Sequence, residues 1–305
     1  MTESLTLSIV IITAERADSL SRCLDALRRE RAEGDTVIIV SASRPLKEEH
    51  LAEMDAAISL LPSNRLNMPY QRNLGLAAAT GDIVAFIDDD AFVQEGWRAA
   101  LLAPYEDEGV VSVVGKVMSD DYSVVSTAKK PGVTWTGYIR PLFHFNADMP
   151  CEVDVGQGGN MSFRRPLLVD IGGFDERYVK RANCEETDLF ERLRRAGHRI
   201  VYNPGASVFH DPGEPVGYDR SDFDVRGAYF IHRNRGYFFA KHYLGRPPFW
   251  GHLVLHSLWF CLRCLKRSLH ITVHSLLTLL AVLAGKVVGV TLGIFRRVIR
   301  EKRDR

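Results

Sequence analysis

The sequence predicts an α/β fold: a doubly wound, mostly parallel sheet flanked by helices, followed by a helical tail that is basic and apolar. Three observations predict it. From Leu5 to Met118, apolar runs of strand length alternate with stretches of helical spacing, the order that calls for a parallel sheet. Those runs are apolar throughout rather than alternating, as in strands covered on both faces. Charge is also unevenly spread. Residues 1–240 carry 27 Lys/Arg against 36 Asp/Glu, residues 241–305 carry 12 against 2, and no acidic residue occurs from Val225 to Arg300.

The elements follow in order. Leu5 to Thr13 is a β-branched run and reads as the first strand. Ala17 to Arg31 has Leu20, Leu24 and Leu27 on one helical face. Thr36 to Val40 is a second strand, a helix follows around Lys47 to Ala56, and Ile58 to Leu61 is a short third strand. Pro69 suits the first turn of a helix running to Ala79, which Gly81 ends before the strand Ile83 to Ile87. Gly109 to Met118 is another strand, and Ser119 to Pro150 is irregular. Gly156 to Asn160 allows close backbone approach. Arg165 to Ile171 and Glu185 to Ala196 read as helices. Arg199 to Tyr202 and Ala206 to His210 read as two short strands around Asn203-Pro204-Gly205, and Arg226 to Tyr243 is an aromatic-rich helix. At 305 residues the chain accommodates one large α/β domain, placed at 1–243, and a tail at 244–305.

Several classes are excluded early. After the first strand the chain reads Thr13-Ala14-Glu15-Arg16-Ala17, with no glycine until Gly34. That rules against a dinucleotide fingerprint and the glycine-rich loop of nucleotidyltransferases. The five cysteines are scattered and odd in number, which suits reduced thiols. Cys261-x-x-Cys264 lies in an apolar helical stretch without the βαβ context of a redox motif.

Asp88, Asp89 and Asp90 close an otherwise apolar strand. Unpaired buried charge costs several kcal/mol, and a divalent cation is the usual remedy. Alternation along the strand sets Asp88 and Asp90 to one side and Asp89 to the other. The competing reading is an acidic turn. Glu185-Glu186-Thr187-Asp188 opens a helix, where acids also complement the macrodipole. His210 ends a late strand. Together they make a set: metal clamp, base and extra ligand.

With these residues in hand, the chain resembles family 2 glycosyltransferases of the GT-A fold over Leu5 to Tyr243. The resemblance is carried by Ser8-Ile9-Val10-Ile11-Ile12-Thr13 with Arg16, Gln71-Arg72-Asn73-Leu74-Gly75, and Thr80-Gly81-Asp82 leading to Asp88-Asp89-Asp90. Further on it includes Gly159-Asn160-Met161-Ser162-Phe163, Gly172-Gly173-Phe174-Asp175-Glu176, Glu185-Glu186-Thr187-Asp188 and Pro204-Gly205-Ala206-Ser207-Val208-Phe209-His210. The resemblance implies an inverting transfer from a nucleoside-diphosphate sugar to a hydroxyl of a glycan or lipid-linked acceptor. Thr13, Arg16, Arg72, Asp88 and Asp89 would line the donor site. Asp88, Asp90 and His210 would hold Mn²⁺ or Mg²⁺. Gly158, Gly159 and Asn160 would form the floor between donor and acceptor, and Asn73 would order a loop. Glu186 would be the general base, with Glu185 as the alternative. The family's second strand often ends in an acid that contacts the nucleobase; here Ser41 stands in its place, which leaves UDP, dTDP and GDP sugars open.

In the tail, Leu276 to Phe295 is long enough to span a bilayer. Lys286 near its middle, with glycine and threonine positions, counts against a span, and a helix lying in the interface with its basic end on anionic lipid is preferred. The pairs His252/His256 and His270/His274 read as interfacial polar residues. The expected setting is the cytoplasmic face of a membrane, with no nucleic-acid partner. The alternative from another class is a non-catalytic scaffold of a membrane glycan-assembly complex.

Overall fold

The computed structural model describes residues 5–14, 17–42, 56–119, 129–142, 145–180, 182–211, 225–267 and 273–303. The strands are β1 (Leu7–Thr13), β2 (Thr36–Ala42), β3 (Ile58–Ser63), β4 (Ile83–Asp88), β5 (Ala91–Val93), β6 (Val110–Met118), β7 (Gly132–Val133), β8 (Ile139–Arg140), β9 (Cys151–Glu152), β10 (Asn160–Arg164) and β11 (Arg199–His210). The α-helices are α1 (Ala17–Glu30), α2 (Met68–Ala78), α3 (Trp97–Leu102), α4 (Arg165–Asp170), α5 (Glu185–Arg195), α6 (Val225–Tyr243), α7 (Pro247–Arg267) and α8 (Val273–Arg303). Contacts divide the chain into two units. One comprises residues 1–131, 141–176 and 185–217, the other residues 132–140, 177–184 and 218–305.

The first unit is built on one mixed sheet in the order β3-β2-β1-β4-β10-β6-β11-β5, with β9 pairing β11. β3, β2, β1 and β4 are parallel neighbours, as the sequence predicts. Period two does the layering: Leu7, Ile9 and Ile11 of β1 pack with α1 on one face, and Val10 and Ile12 pack toward Leu76, Leu168 and Phe190 on the other. The sequence reading misses β10, which enters antiparallel between β4 and β6. Its five residues are polar enough to look like loop. In the sheet Ser162 Oγ donates to Val113 O at 3.0 Å and its own carbonyl accepts from Ser112 Oγ at 2.8 Å, so the polar atoms are satisfied. The two late strands expected around Asn203-Pro204-Gly205 are one strand, β11. Asn203 Nδ2 donates to Ala100 O at 2.7 Å and Asn203 Oδ1 accepts from Gly205 N at 3.0 Å, so the turn-forming residues make only a register shift against β6 between Asn203 and Ser207. The expected helix around Lys47 lies outside the described residues.

The second unit is helical, and α6, expected in the first domain, groups with the tail. α8 carries Gly285, Gly289 and Gly293 four residues apart, a small-residue ridge that lets it approach α6 closely. A Cβ at Gly285 or Gly289 would strike the backbone of Tyr229 or Arg233, and one at Gly293 would lie 2.6 Å from Ala240 Cβ. Lys286 is turned inward. Its buried ammonium donates to His252 O at 2.9 Å and to Ser257 Oγ at 2.5 Å. Of the pair His252/His256, expected to be interfacial, His256 is half-buried and His252 is not at a surface. His252 is enclosed, its ring stacked on Phe239 at 4.4 Å, because the helix face carrying it is the one that packs inward. The backbone of Cys261-x-x-Cys264 is helical, in α7.

Candidate functional site

The site lies at the carboxyl ends of β1 and β4 and the end of β11, where open α/β sheets place their ligands. β4 runs apolar and buried through Ile87, then delivers Asp88, Asp89 and Asp90. The three do separate. Asp89 accepts from Thr13 Oγ1 at 2.6 Å, which ties the ends of β1 and β4 together. Asp88 and Asp90 instead meet His210: one ligand atom from each lies within 4.8 Å of the others, and His210 Nε2 is 3.2 Å from Asp90 Oδ1. Asp211 N donates to Asp90 O at 2.9 Å, fixing the two strand ends against each other. Beneath them burial, and then the negative potential of Asp89, Asp90 and Asp88, holds the Cys23 thiol well above its ordinary pKa.

The donor set fits a divalent cation. Two carboxylates and one imidazole offer hard oxygens and a borderline nitrogen, a combination suited to Mn²⁺ and acceptable to Mg²⁺. Ligand atoms about 2.1 Å from one ion sit roughly 3–4 Å apart; His210 Nε2 and Asp90 Oδ1 are 3.2 Å apart, and a ligand atom of Asp88 lies within 4.8 Å of the other two groups.

A second carboxylate cluster adjoins the first. Arg72, on α2, and Glu185, the first residue of α5, are each 1 % exposed and form a direct ion pair. The other guanidinium nitrogen, Nη2, is 3.5 Å from Asp88 Oδ1, and the guanidinium lies over the Phe174 ring at 5.6 Å. Arg72 is therefore enclosed beneath Asp88 instead of lining an open pocket. Glu186, the next residue, is half-buried. Burial pushes its pKa up, opposed by Arg72 and by the backbone N–H of Gly158 and assisted by the charge of Asp88. Gly158 and Gly159 are held to glycine by these groups. A Cβ at Gly158 would lie 2.5 Å from Arg72 Nη2 and 2.6 Å from Glu186 Oε1, and one at Gly159 would lie 2.8 Å from Asp88 Oδ2.

Other predicted residues divide clearly. Asn160 is wholly buried, and its amide is held by Trp97 Nε1 at 3.1 Å, Lys116 O at 3.1 Å and Ala206 O at 2.8 Å, so its side chain fastens β10 to β6 and β11. Asn73 holds the loop before α5, accepting from Phe174 N at 2.8 Å and donating to Glu176 Oε1 at 3.0 Å. Asp188 is paired with Arg192 at 3.0 Å and braces α5. Arg16 lies outside the described residues. Sequence reasoning missed Gln71, a buried amide that donates to Val40 O at 3.2 Å and Thr13 O at 3.4 Å and so couples the ends of β1 and β2 beside Ser41. Its signal was available: Gln71 and Gly75 fall one helical turn apart, on the face of α2 turned to the sheet. Trp97 carried no such signal.

Comparison with known proteins identifies the family and the fold. The family model described as Glycosyl transferase family 2 matches residues 8–172. A glucosyl-dolichyl phosphate glucuronosyltransferase of Haloferax volcanii is 26% identical over 223 residues, covering 67% of this chain and 68% of that protein. A pre-mycofactocin glycosyltransferase of Mycobacterium tuberculosis is 29% identical over 211 residues, covering 67% of this chain and 42% of that protein, so the match spans less than half of the mycobacterial relative. Among solved structures, the mannosyltransferase PcManGT from Pyrobaculum calidifontis in complex with GDP-Man and Mn²⁺ superposes with a TM-score of 0.59 at 17% identity, covering 100% of this chain and 89% of that one. GalNAc-T7 with UDP, GalNAc and Mn²⁺ superposes at 0.58 and 14% identity, covering 79% and 51%. The fold is thus GT-A, and with a family match over more than half its length the chain belongs to glycosyl transferase family 2 and is a glycosyltransferase.

Proposed function

We propose that the chain is an inverting, metal-dependent glycosyltransferase that moves a sugar from a nucleoside-diphosphate sugar to a hydroxyl of a lipid-linked or glycan acceptor at a membrane surface. The observation that carries the reading is the convergence of Asp88, Asp90 and His210 beside a half-buried Glu186. We assign the transfer to the sheet unit and membrane contact to the helical unit.

The residues take the following roles. Glu186 accepts the proton of the acceptor hydroxyl as that oxygen bonds to the anomeric carbon and the bond to the diphosphate breaks. Burial raises its pKa above the ordinary carboxylate value, which makes it a better proton acceptor than an exposed glutamate. Glu185, buried and ion-paired with Arg72, serves as that cation's counter-ion and not as the base. Arg72 positions Asp88 from below. Thr13 and Asp89 shape the donor side, and Gly158 and Gly159 keep room above the two acids. A divalent cation held by Asp88, Asp90 and His210 would neutralise the charge that gathers on the leaving diphosphate. The names of two relatives favour a lipid-linked acceptor: the haloarchaeal enzyme already described and an N-acetylglucosaminyl-diphospho-decaprenol L-rhamnosyltransferase of Mycobacterium tuberculosis, 40% identical over 72 residues and covering 23% of each chain.

The test is thermal stability with UDP, GDP and dTDP, each with and without Mn²⁺, for the wild type and Asp90→Ala. A ligand at a hundred times its Kd adds about 2.7 kcal/mol. We expect a metal-dependent rise with one nucleotide that Asp90→Ala abolishes, which also assigns the donor base. Absence of any rise would turn the assignment toward the non-catalytic scaffold.

A further inference from the structure

The chain has four tryptophans, and their placement is uneven. Trp97 is wholly buried in the sheet unit, whereas Trp135, Trp250 and Trp259 are 74%, 56% and 52% exposed, all in the helical unit. Trp250, Val254, Leu255, Leu258, Trp259 and Leu262 are exposed and cover a broad arc of α7, about half its circumference, with Trp250 and Trp259 at the two edges of that arc. The other face of α7 is spent inside the unit, where His252 stacks on Phe239 and its carbonyl takes the ammonium of Lys286.

The β7–β8 hairpin belongs to the same surface. It pairs Gly132 with Arg140 and Val133 with Ile139, and its tip carries Trp135 and Tyr138, both exposed. The tip rests on the first turns of α7. A Cβ at Gly137 would strike Pro248 O and His252 N, and a Cβ at Gly251 would strike Thr136 O. Backbone contact this close, permitted only by glycine on both sides, fixes the hairpin tip against the first turns of α7, where Trp250 stands.

Tryptophan and tyrosine have an apolar body and a polar tip and concentrate where a bilayer meets water. The electrostatics select the type of bilayer. Glu301 is the one acidic residue among the described residues of this unit, while Arg140, Arg246, Arg296 and Arg297 are at least partly exposed. We propose that the β7–β8 tip and the outer face of α7 form an interfacial docking surface for an anionic bilayer, with Trp135, Tyr138, Trp250 and Trp259 as its anchors. This deepens the membrane reading above, on which it rests, by moving the principal contact from α8 to α7 and to a hairpin more than a hundred residues upstream of it.

The experiment is vesicle flotation of the full chain. It compares phosphatidylcholine vesicles with vesicles containing about one third phosphatidylglycerol, for the wild type, W135S/W250S/W259S and the α8 variant V287S/F295S. We expect the wild type to float with the anionic vesicles and the tryptophan variant to lose tenfold or more in partitioning, roughly the loss of interfacial apolar contact at three positions, with α8 substitution costing less. Acyl chains brominated near the headgroup should quench wild-type emission, leaving the share from buried Trp97. If the tryptophan variant floats as well as the wild type, or bound wild-type protein is not quenched, this docking surface is wrong and the tail reading stands without it. Failure of the wild type to bind either vesicle overturns both, and equal binding to neutral vesicles overturns the choice of an anionic partner.

Discussion

Gly158→Ala probes the space above the two acids with the smallest possible change. The new methyl carbon would sit 2.6 Å from Glu186 Oε1 and 2.5 Å from Arg72 Nη2, where ordinary contact begins at 3.4 Å. Both must therefore give, by about 0.8 Å for Glu186 and about 0.9 Å for Arg72, the difference between the contact and the available gap. Glu186 is half-buried at the end of a flexible side chain, so its carboxylate moves readily, whereas Arg72 is enclosed and ion-paired with Glu185 and yields only at a cost. A misplacement near 1 Å in a reacting group costs about a hundredfold in turnover, or roughly 2.7 kcal/mol of barrier. Displacing the enclosed guanidinium also costs folding, by about 1–3 kcal/mol, the usual range for overpacking. The assay is initial rate at saturating donor, alongside the nucleotide-induced thermal shift. The expected pattern is a kcat lowered about a hundredfold with the thermal shift retained. Turnover within about threefold of wild type would refute the placement of Glu186 as the base beside Gly158, because the geometry leaves no room for an undisturbed carboxylate.

The two neighbouring glutamates make opposite predictions. Glu186→Gln should abolish transfer and cost little stability, while Glu185→Gln removes the partner of an enclosed guanidinium and should cost about 3–5 kcal/mol of folding; equal effects on both quantities would reject the assignment. Acid should destabilise the helical unit. Burial, reinforced by neighbouring cations, lowers His232 to about 2 and His256 to about 3, and lowers His252 well below the ordinary value. A depressed folded pKa means the unfolded chain binds more protons below about pH 6.5, so stability is present above that pH and falls as pH drops, by about 2 kcal/mol per histidine between pH 6.5 and 5. Urea unfolding followed by helical signal at pH 7 and 5 reads this directly, and His252→Phe should lessen the loss; a midpoint that does not move with pH would contradict it.

Much of the sheet unit is legible because its signals are local. Apolar β-branched runs name β1, β2 and β4, and period two sorts Asp88 and Asp90 from Asp89 before any coordinates are known. His210 is legible as a strand end, although not its distance from Asp90. The rest depends on contacts between distant segments. Nothing near Asn160 in sequence announces that its amide will be taken by Trp97, Lys116 and Ala206. Arg72 and Glu185 are far apart in the chain, and only the packing of α2 and α5 against the same face of the sheet makes them a pair. A residue type can suggest a role; it cannot reveal whether the space around it is open or closed.

α8 shows how the same residues change meaning once their face is known. Read as a string, Lys286 and the glycines weaken Leu276 to Phe295 as a membrane element, since each lowers average hydrophobicity. In the structure they share the inner side: Gly285, Gly289 and Gly293 let α8 close on α6, and Lys286 donates to the carbonyl of His252 and the hydroxyl of Ser257 on α7. Their polarity is thereby removed from the outer surface, where Leu280, Leu283, Val287 and Phe295 are exposed. A charged residue whose partners lie within its own helical unit does not face lipid, so its cost of insertion is largely offset. The inward glycines and lysine also commit one side of the helix to protein, which leaves a single apolar face. One face is the geometry of a helix lying in an interface, and the position of Lys286, first an argument about hydrophobicity, becomes an argument about orientation.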